Sequence, residues 1–270
     1  MSNQFPPSTI AVYSKYKVNK FNIIITNKNN ITKLKNYLKF LLSKFSKIKK
    51  EIFGTNEKPC KPRPSEYSTI VGVGSVVPCQ IEAYFLALNK YVDESATVLD
   101  VGFGLGYGLN ILAIKAKEVS GVDVDKKVYD YCQGTIVDRN PRLIYLSIYE
   151  GYSLSFPDNY FDVVTCVDTI EHVEDYDRLI KEMLRVAKKG VFLSTPNRRP
   201  EYTNPDGTPK NYWHLREWSF DEFDEIVKRH GKVDWNFLNG PFEGPFISSK
   251  TVQENTFTLS PFIYKRGKSL

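Results

Sequence analysis

Val98-Leu99-Asp100-Val101-Gly102-Phe103-Gly104-Leu105-Gly106 is the stretch on which the reading of this chain turns. It reads as a short buried strand running into a glycine-rich turn, with a helix opening at about Gly106. The next apolar run, Glu118-Val119-Ser120-Gly121-Val122-Asp123, ends in a carboxylate. Strand, turn, helix and second strand make half of a nucleotide-binding βαβ unit. Its glycines let backbone N–H groups approach a ligand at a helix N-terminus, and the later acid can accept hydrogen bonds from ribose hydroxyls.

The spacing discriminates between nucleotides. Glycines fall at 102, 104, 106 and 108, so Tyr107 stands where a dinucleotide fingerprint needs its third glycine. Asp100, two residues before the first glycine, would repel a pyrophosphate and attract a cationic amino-acid end. Both features weigh against a nicotinamide oxidoreductase. S-adenosylmethionine joins adenosine to a sulfonium and a methionyl ammonium. The stretch resembles motif I of the class I S-adenosylmethionine-dependent methyltransferases, apolar-apolar-Asp/Glu-apolar-Gly-x-Gly-x-Gly, and Asp123 matches that family's ribose-binding acid.

Three later segments resemble the type 11 branch of the same family. They are Phe156-Pro157-Asp158-Asn159-Tyr160-Phe161-Asp162-Val163-Val164, Glu171-His172-Val173, and Ser194-Thr195-Pro196-Asn197-Arg198. The resemblance covers roughly residues 95–200 and departs at Ser155, usually Pro, and at Glu150, more often Asp. It implies S-adenosylmethionine as cofactor, with Asp100, Gly102, Gly104, Gly106, Asp123, Val124, Glu150, Gly151 and Asp168 holding it. Glu150 is then the acceptor for the adenine amino group. The fold implied is an α/β, Rossmann-like three-layer sandwich, its mostly parallel seven-stranded sheet ending in an antiparallel hairpin.

The chain itself yields a matching order of elements: helix 77–92, strand 97–101, helix about 106–117, strand 118–123, helix about 126–137 and strand 143–148. Strand 161–167, helix about 175–187, strand 190–195, helix 219–230 and strands near 232–238 and 256–264 follow. Alternation of this kind implies right-handed crossovers, a parallel sheet and a ligand at the carboxyl ends of the strands. Residues 196–217 have four prolines and no periodicity, as in a long functional loop.

Charge divides the chain in two. Residues 1–50 hold eleven lysines and no acid, whereas the other 220 residues hold 26 basic and 31 acidic groups. The catalytic part is therefore mildly acidic, which argues against a broad nucleic-acid groove. Residues 1–68 are expected to form a basic helical extension and linker, and 69–270 the methyltransferase domain. Ile31, Leu34, Leu38, Leu41, Phe45 and Ile48 line one face of a helix over 31–50, with lysines opposite. Such a helix fits an anionic membrane surface, or packs on its own domain with the lysines solvated; an RNA-gripping arm is the weaker reading, since arginine is absent. Cys60, Cys79, Cys132 and Cys166 form no C-x-x-C pair, so a reduced, cytoplasmic protein without a metal is expected. No segment has the roughly 18 apolar residues of a membrane span, and the N-terminus lacks a signal peptide's apolar run.

Methyl transfer needs an aligned acceptor and, at a hydroxyl, a proton acceptor. His172 follows the fourth strand, and His214 lies in Trp213-His214-Leu215-Arg216-Glu217-Trp218; both are candidate bases, and each also fits a structural role. His230 closes a basic helix turn and reads as structural. Asp168 and Glu171 are further acids near the methionine end. The acceptor expected is a small molecule, glycan or lipid-linked intermediate, methylated at oxygen. An RNA or protein methyltransferase would carry a motif such as Asn-Pro-Pro-Tyr after the fourth strand, where this chain has Asp168-Thr169-Ile170-Glu171. A protein that only binds the cofactor is the third reading.

Overall fold

The computed structural model describes residues 78–135, 142–149, 152–241 and 245–266. The extension and linker expected over 1–68, and the expected cofactor residues Glu150 and Gly151, lie outside the described residues.

Helix α1 (Pro78–Tyr91) leads into β1 (Thr97–Val101), α2 (Tyr107–Leu112), β2 (Glu118–Asp123), α3 (Lys126–Thr135) and β3 (Leu143–Ile148). Then come β4 (Phe161–Val167), α4 (Tyr176–Val186), β5 (Ala187–Pro196), α5 (Phe220–Lys228) and five short strands. These are β6 (Lys232–Asp234), β7 (Phe237–Asn239), β8 (Ile247–Ser249), β9 (Thr256–Leu259) and β10 (Phe262–Tyr264). The first five strands pair in parallel in the order β3-β2-β1-β4-β5. Beyond β5 every pairing is antiparallel.

Burial explains the order. Val98, Leu99, Asp100 and Val101 are all buried, as a central strand covered on both faces requires. β3 buries only Leu143 and Leu146 and forms the sheet edge. One face packs Val98 and Val163 against Ile81, Tyr84, Leu109, Leu112 and Val128 of α1, α2 and α3. The other packs Leu99, Val164 and Leu193 against Leu179, Ile180 and Met183 of α4 and Phe223 and Val227 of α5. The result is the expected three-layer sandwich. α5 starts at a reciprocal Ser219–Glu222 capping box, and α4 at Asp175, whose carboxylate accepts the Arg178 amide at 3.1 Å.

Three elements differ from the expectation. α2 ends at Leu112 and not near 117, because the Arg142 guanidinium donates to the carbonyls of Ala113, Ile114 and Ala116 at 3.1–3.2 Å and fixes a turn there. The strand near 232–238 is broken into β6 and β7 at Asn236, whose buried amide donates to the Tyr91 hydroxyl at 2.7 Å and the Ser260 carbonyl at 3.2 Å. Ser260 and Pro261 likewise divide 256–264 into β9 and β10, and β8 adds a further antiparallel edge. Counting each broken strand once recovers the hairpin that ends the sheet.

Residues 197–219 hold no long element, but they are anchored. The Leu215 amide donates to the Glu171 carbonyl at 3.1 Å, and Arg216 donates to the carbonyls of Val173 and Glu174 at 2.9 Å. These bonds strap the loop across the exit of β4, at the carboxyl edge of the sheet. Among the described residues no helix is long and apolar enough to cross a membrane.

Candidate active site

The turn after β1 is built from left-handed backbone. Gly102, Gly104 and Gly106 have φ of 78°, 48° and 74°, a region that costs other residues roughly 1–2 kcal/mol each. The three glycines serve different ends. A Cβ on Gly102 would overlap the Thr169 side chain, so this glycine admits the β4 exit loop against the turn. A Cβ on Gly104 would meet nothing within 4 Å, so its face opens on free space. Gly106 is the N-cap of α2 and leaves the first amides of that helix facing the turn.

Asp123, at the end of β2, accepts the Gly104 amide at 2.8 Å and the Asp125 amide at 2.9 Å. Burial pushes its carboxyl up to about 6 despite these bonds. Each oxygen keeps a lone pair, which is the requirement for taking ribose hydroxyls. Val124, half-buried, follows it on the same edge. An adenosyl group fits this arrangement: an open glycine face, helix amides and a carboxylate with spare acceptor capacity lie within one turn.

Asp100 lies in the interior of the domain. It is fully buried and accepts Tyr84 Oη at 3.0 Å and Thr165 Oγ1 at 2.7 Å. Burial still pushes it up to about 7. It lies beneath the turn, near the end of β1. Gly108 belongs to the same device, because a Cβ there would collide with the Tyr84 ring. The Tyr84 and Thr165 partners, 16 and 65 residues away, carry no local signal in the sequence.

Asp168 closes β4 with φ of 44°, strained for a residue with a side chain. Its amide donates to both the Ser194 carbonyl and Ser194 Oγ at 3.0 Å, and Cys79 Sγ lies 3.7 Å from its carboxylate. Burial raises its pKa, while Ser194 and His214 oppose the rise.

Beyond Asp168 the two candidate histidines come together. Their rings meet edge-on with centroids 5.0 Å apart. His172 Nδ1 is 2.7 Å from the Trp213 carbonyl, so that nitrogen carries the proton and Nε2 is left with its lone pair. Burial and His214 push His172 down to about 4. His214 Nδ1 is 2.6 Å from Glu217 Oε1, which orients this ring the same way. Glu171 is fully buried between them: Oε2 accepts Thr195 Oγ1 at 3.2 Å and Oε1 has no partner. Burial and the charge of Asp168 hold the Glu171 carboxyl well above its ordinary range. Glu217, which the sequence offers either as part of a His-Arg-Glu set at the acceptor or as a surface ion, is buried against His214; the contacts of Ser194 and Thr195 carry no signal in the sequence. His230 stands apart, on Asp177 of α4 at 2.9 Å.

Comparison with known proteins agrees with this geometry. Residues 99–195 match the family described as "Methyltransferase domain". A "Probable S-adenosylmethionine-dependent methyltransferase" of Mycobacterium tuberculosis is 31% identical over 186 residues, covering 66% of this chain and 65% of the relative. A "Ubiquinone biosynthesis O-methyltransferase" of Nitrosomonas europaea is 34% identical over 125 residues, covering 43% of this chain and 52% of the relative. The chain thus spans between half and two thirds of these relatives. Among solved structures, the YcgJ protein of Bacillus subtilis superposes with a TM-score of 0.54 at 18% identity, covering 69% of this chain and 99% of that one. A SAM-dependent methyltransferase from Aquifex aeolicus gives 0.51 at 18%, covering 76% and 100%; both likenesses speak to the fold. Residues 99–195 thus resemble a methyltransferase domain, and relatives of similar sequence are named S-adenosylmethionine-dependent methyltransferases.

Proposed function

We propose that this protein transfers a methyl group from S-adenosylmethionine to a hydroxyl of a small-molecule, glycan or lipid-linked acceptor. The observation that carries the reading is the pair of imidazoles, His172 and His214, packed beside Asp168 at the exit of β4. S-adenosylmethionine supplies an electrophilic methyl on a sulfonium; the residues of this chain supply position and proton handling. Asp123 and the Gly104 turn would hold the ribose, with Asp168 near the cationic end and Asp100 beneath the turn. His172 Nε2, left with its lone pair beside the His214 ring, suits an acceptor O–H, which it can orient by accepting its hydrogen bond. The strapped loop of residues 197–219 shields that space from one side.

The name of the Nitrosomonas relative supports oxygen as the receiving atom. The Asp168-Thr169-Ile170-Glu171 sequence at the β4 exit argues against an RNA or protein acceptor. For the lysine-faced segment 31–50 the reading is peripheral contact with an anionic membrane, which would suit a lipid-linked acceptor. The test is a transfer assay with methyl-labelled donor against fractionated saccharide and lipid extracts. Label in a product that loses it under conditions cleaving O-methyl groups supports the reading. Donor binding without transfer to any fraction would leave the cofactor-binding reading in its place.

A further inference from the structure

We infer that Glu171 Oε1, His172 Nε2 and His214 Nε2 form a binding site for a divalent transition-metal ion. These atoms lie within 4.8 Å of one another, with Glu171 Oε1 4.0 Å from His172 Nε2 and 3.9 Å from His214 Nε2. Each separation is too long for a hydrogen bond. The two imidazole Nε2 atoms and Glu171 Oε1 converge, because both rings have their Nδ1 atoms on other partners. His172 donates to the Trp213 carbonyl and His214 to Glu217 Oε1. A backbone carbonyl and a carboxylate behind two imidazoles is the arrangement that orients metal-ligating histidines.

Glu171 provides the independent observation. It is fully buried, yet Oε1 has no partner, and Asp168 and Glu217 add negative charge nearby. A buried polar atom without a partner is costly, and a cation would offset that cost. Two nitrogens and one oxygen are a donor set for zinc or iron(II), not for magnesium. Tetrahedral ligation at about 2.0–2.1 Å puts ligand atoms about 3.3 Å apart, so the tips of these side chains must draw together by less than about an ångström for the Glu–His pairs. The Asn211 amide, 2.9 Å from His214 Nε2 on the exposed side, would give up that lone pair to the ion. The cysteine spacing gave no sign of such a site, because its ligands come from the β4 exit and a loop some 40 residues later.

Three protein ligands leave a position open. An acceptor hydroxyl placed there would form an oxygen–metal bond and release its proton to solvent more readily. That use rests on the O-methylation reading; the metal binding does not.

The test uses the untagged full-length chain, stripped of metal by chelator and titrated with Co2+ and Zn2+. One equivalent of Co2+ with visible d–d bands of N/O ligation, displaced by Zn2+, is expected. Glu171→Gln and His214→Asn should each abolish it, and Glu217→Gln should weaken it about 10–100-fold. S-adenosylmethionine affinity is measured in parallel, so that failure of the donor site and failure of the metal site are separate results. Absence of stoichiometric Co2+ in the wild type overturns the proposal, as does unchanged binding in Glu171→Gln and His214→Asn. Should those variants not fold, diethylpyrocarbonate footprinting of the wild type decides. Zn2+ should protect His172 and His214 and spare His230, and equal labelling with and without Zn2+ overturns the site.

Discussion

Gly102→Ala and Gly104→Ala should separate what the turn does for the fold from what it does for the ligand. Both glycines lie in left-handed backbone, so each alanine costs about 1–2 kcal/mol of stability. At Gly104 that is the whole cost to the protein, because the new methyl meets nothing within 4 Å. At Gly102 the methyl overlaps Oγ1 and Cγ2 of Thr169, adding overpacking of about 1–3 kcal/mol. For a domain of this size each kcal/mol moves Tm by about 2–4 °C. Gly104→Ala should thus lower the ligand-free Tm by roughly 2–8 °C and Gly102→Ala by roughly 4–20 °C. Thr169→Ala placed in the Gly102→Ala chain should recover most of the difference. Donor affinity should run the other way. Gly104→Ala puts its methyl into the space assigned to the nucleoside, and loses donor binding out of proportion to its small Tm change. The measurements are calorimetric Tm without ligand and titration with S-adenosylmethionine. Equal Tm losses with wild-type donor affinity in Gly104→Ala would refute the division of labour.

Asp100 and Asp123, raised to about 7 and about 6, bind protons more tightly folded than unfolded, where a carboxyl titrates near 3.9. Their contribution to ligand-free stability therefore falls as pH rises from about 4 to about 7, while His172, lowered to about 4, contributes the opposite slope between about 4 and 6.5. Denaturant titrations of Asp100→Asn should show less loss of stability over that window, and a curve as steep as the wild type's would remove Asp100 as its source. Tyr84→Phe removes one of two hydrogen bonds to a buried carboxylate and should cost about 1–3 kcal/mol, read as a lower denaturant midpoint; a change under half a kcal/mol contradicts the buried network. Arg142→Ala, far from the turn in function, should lower the midpoint by freeing three carbonyls and leave donor affinity unchanged.

The sheet was legible because its signals are local. β1, β2, β3 and β4 fall on their expected residues since each is a run rich in apolar residues and bounded by turn residues. Where a distant group decides, the sequence is mute. Ala113–Ala116 continues the apolar pattern of α2, and only Arg142, about 28 residues on, ends the helix. Asn236 looks like any strand residue until Tyr91 and Ser260 claim its amide. The site divides similarly. Spacing marks Gly102, Gly104, Gly106 and Asp123, and the turn brings them together. Asp100 shows its charge in the sequence, whereas its burial under Tyr84 and Thr165 depends on packing between α1 and β4. His172 and His214 were found singly, and their contact arises from the loop strapped by Leu215 and Arg216.

Direct titration of the full-length chain with S-adenosylmethionine and, separately, with NAD addresses the nucleotide pocket most directly. One equivalent of the methyl donor should bind, weakened about 10–150-fold by Asp123→Ala through loss of about 1.5–3 kcal/mol of charge-assisted hydrogen bonding, and NAD should not compete. Preference for NAD, or a donor affinity indifferent to Asp123, would contradict the assignment.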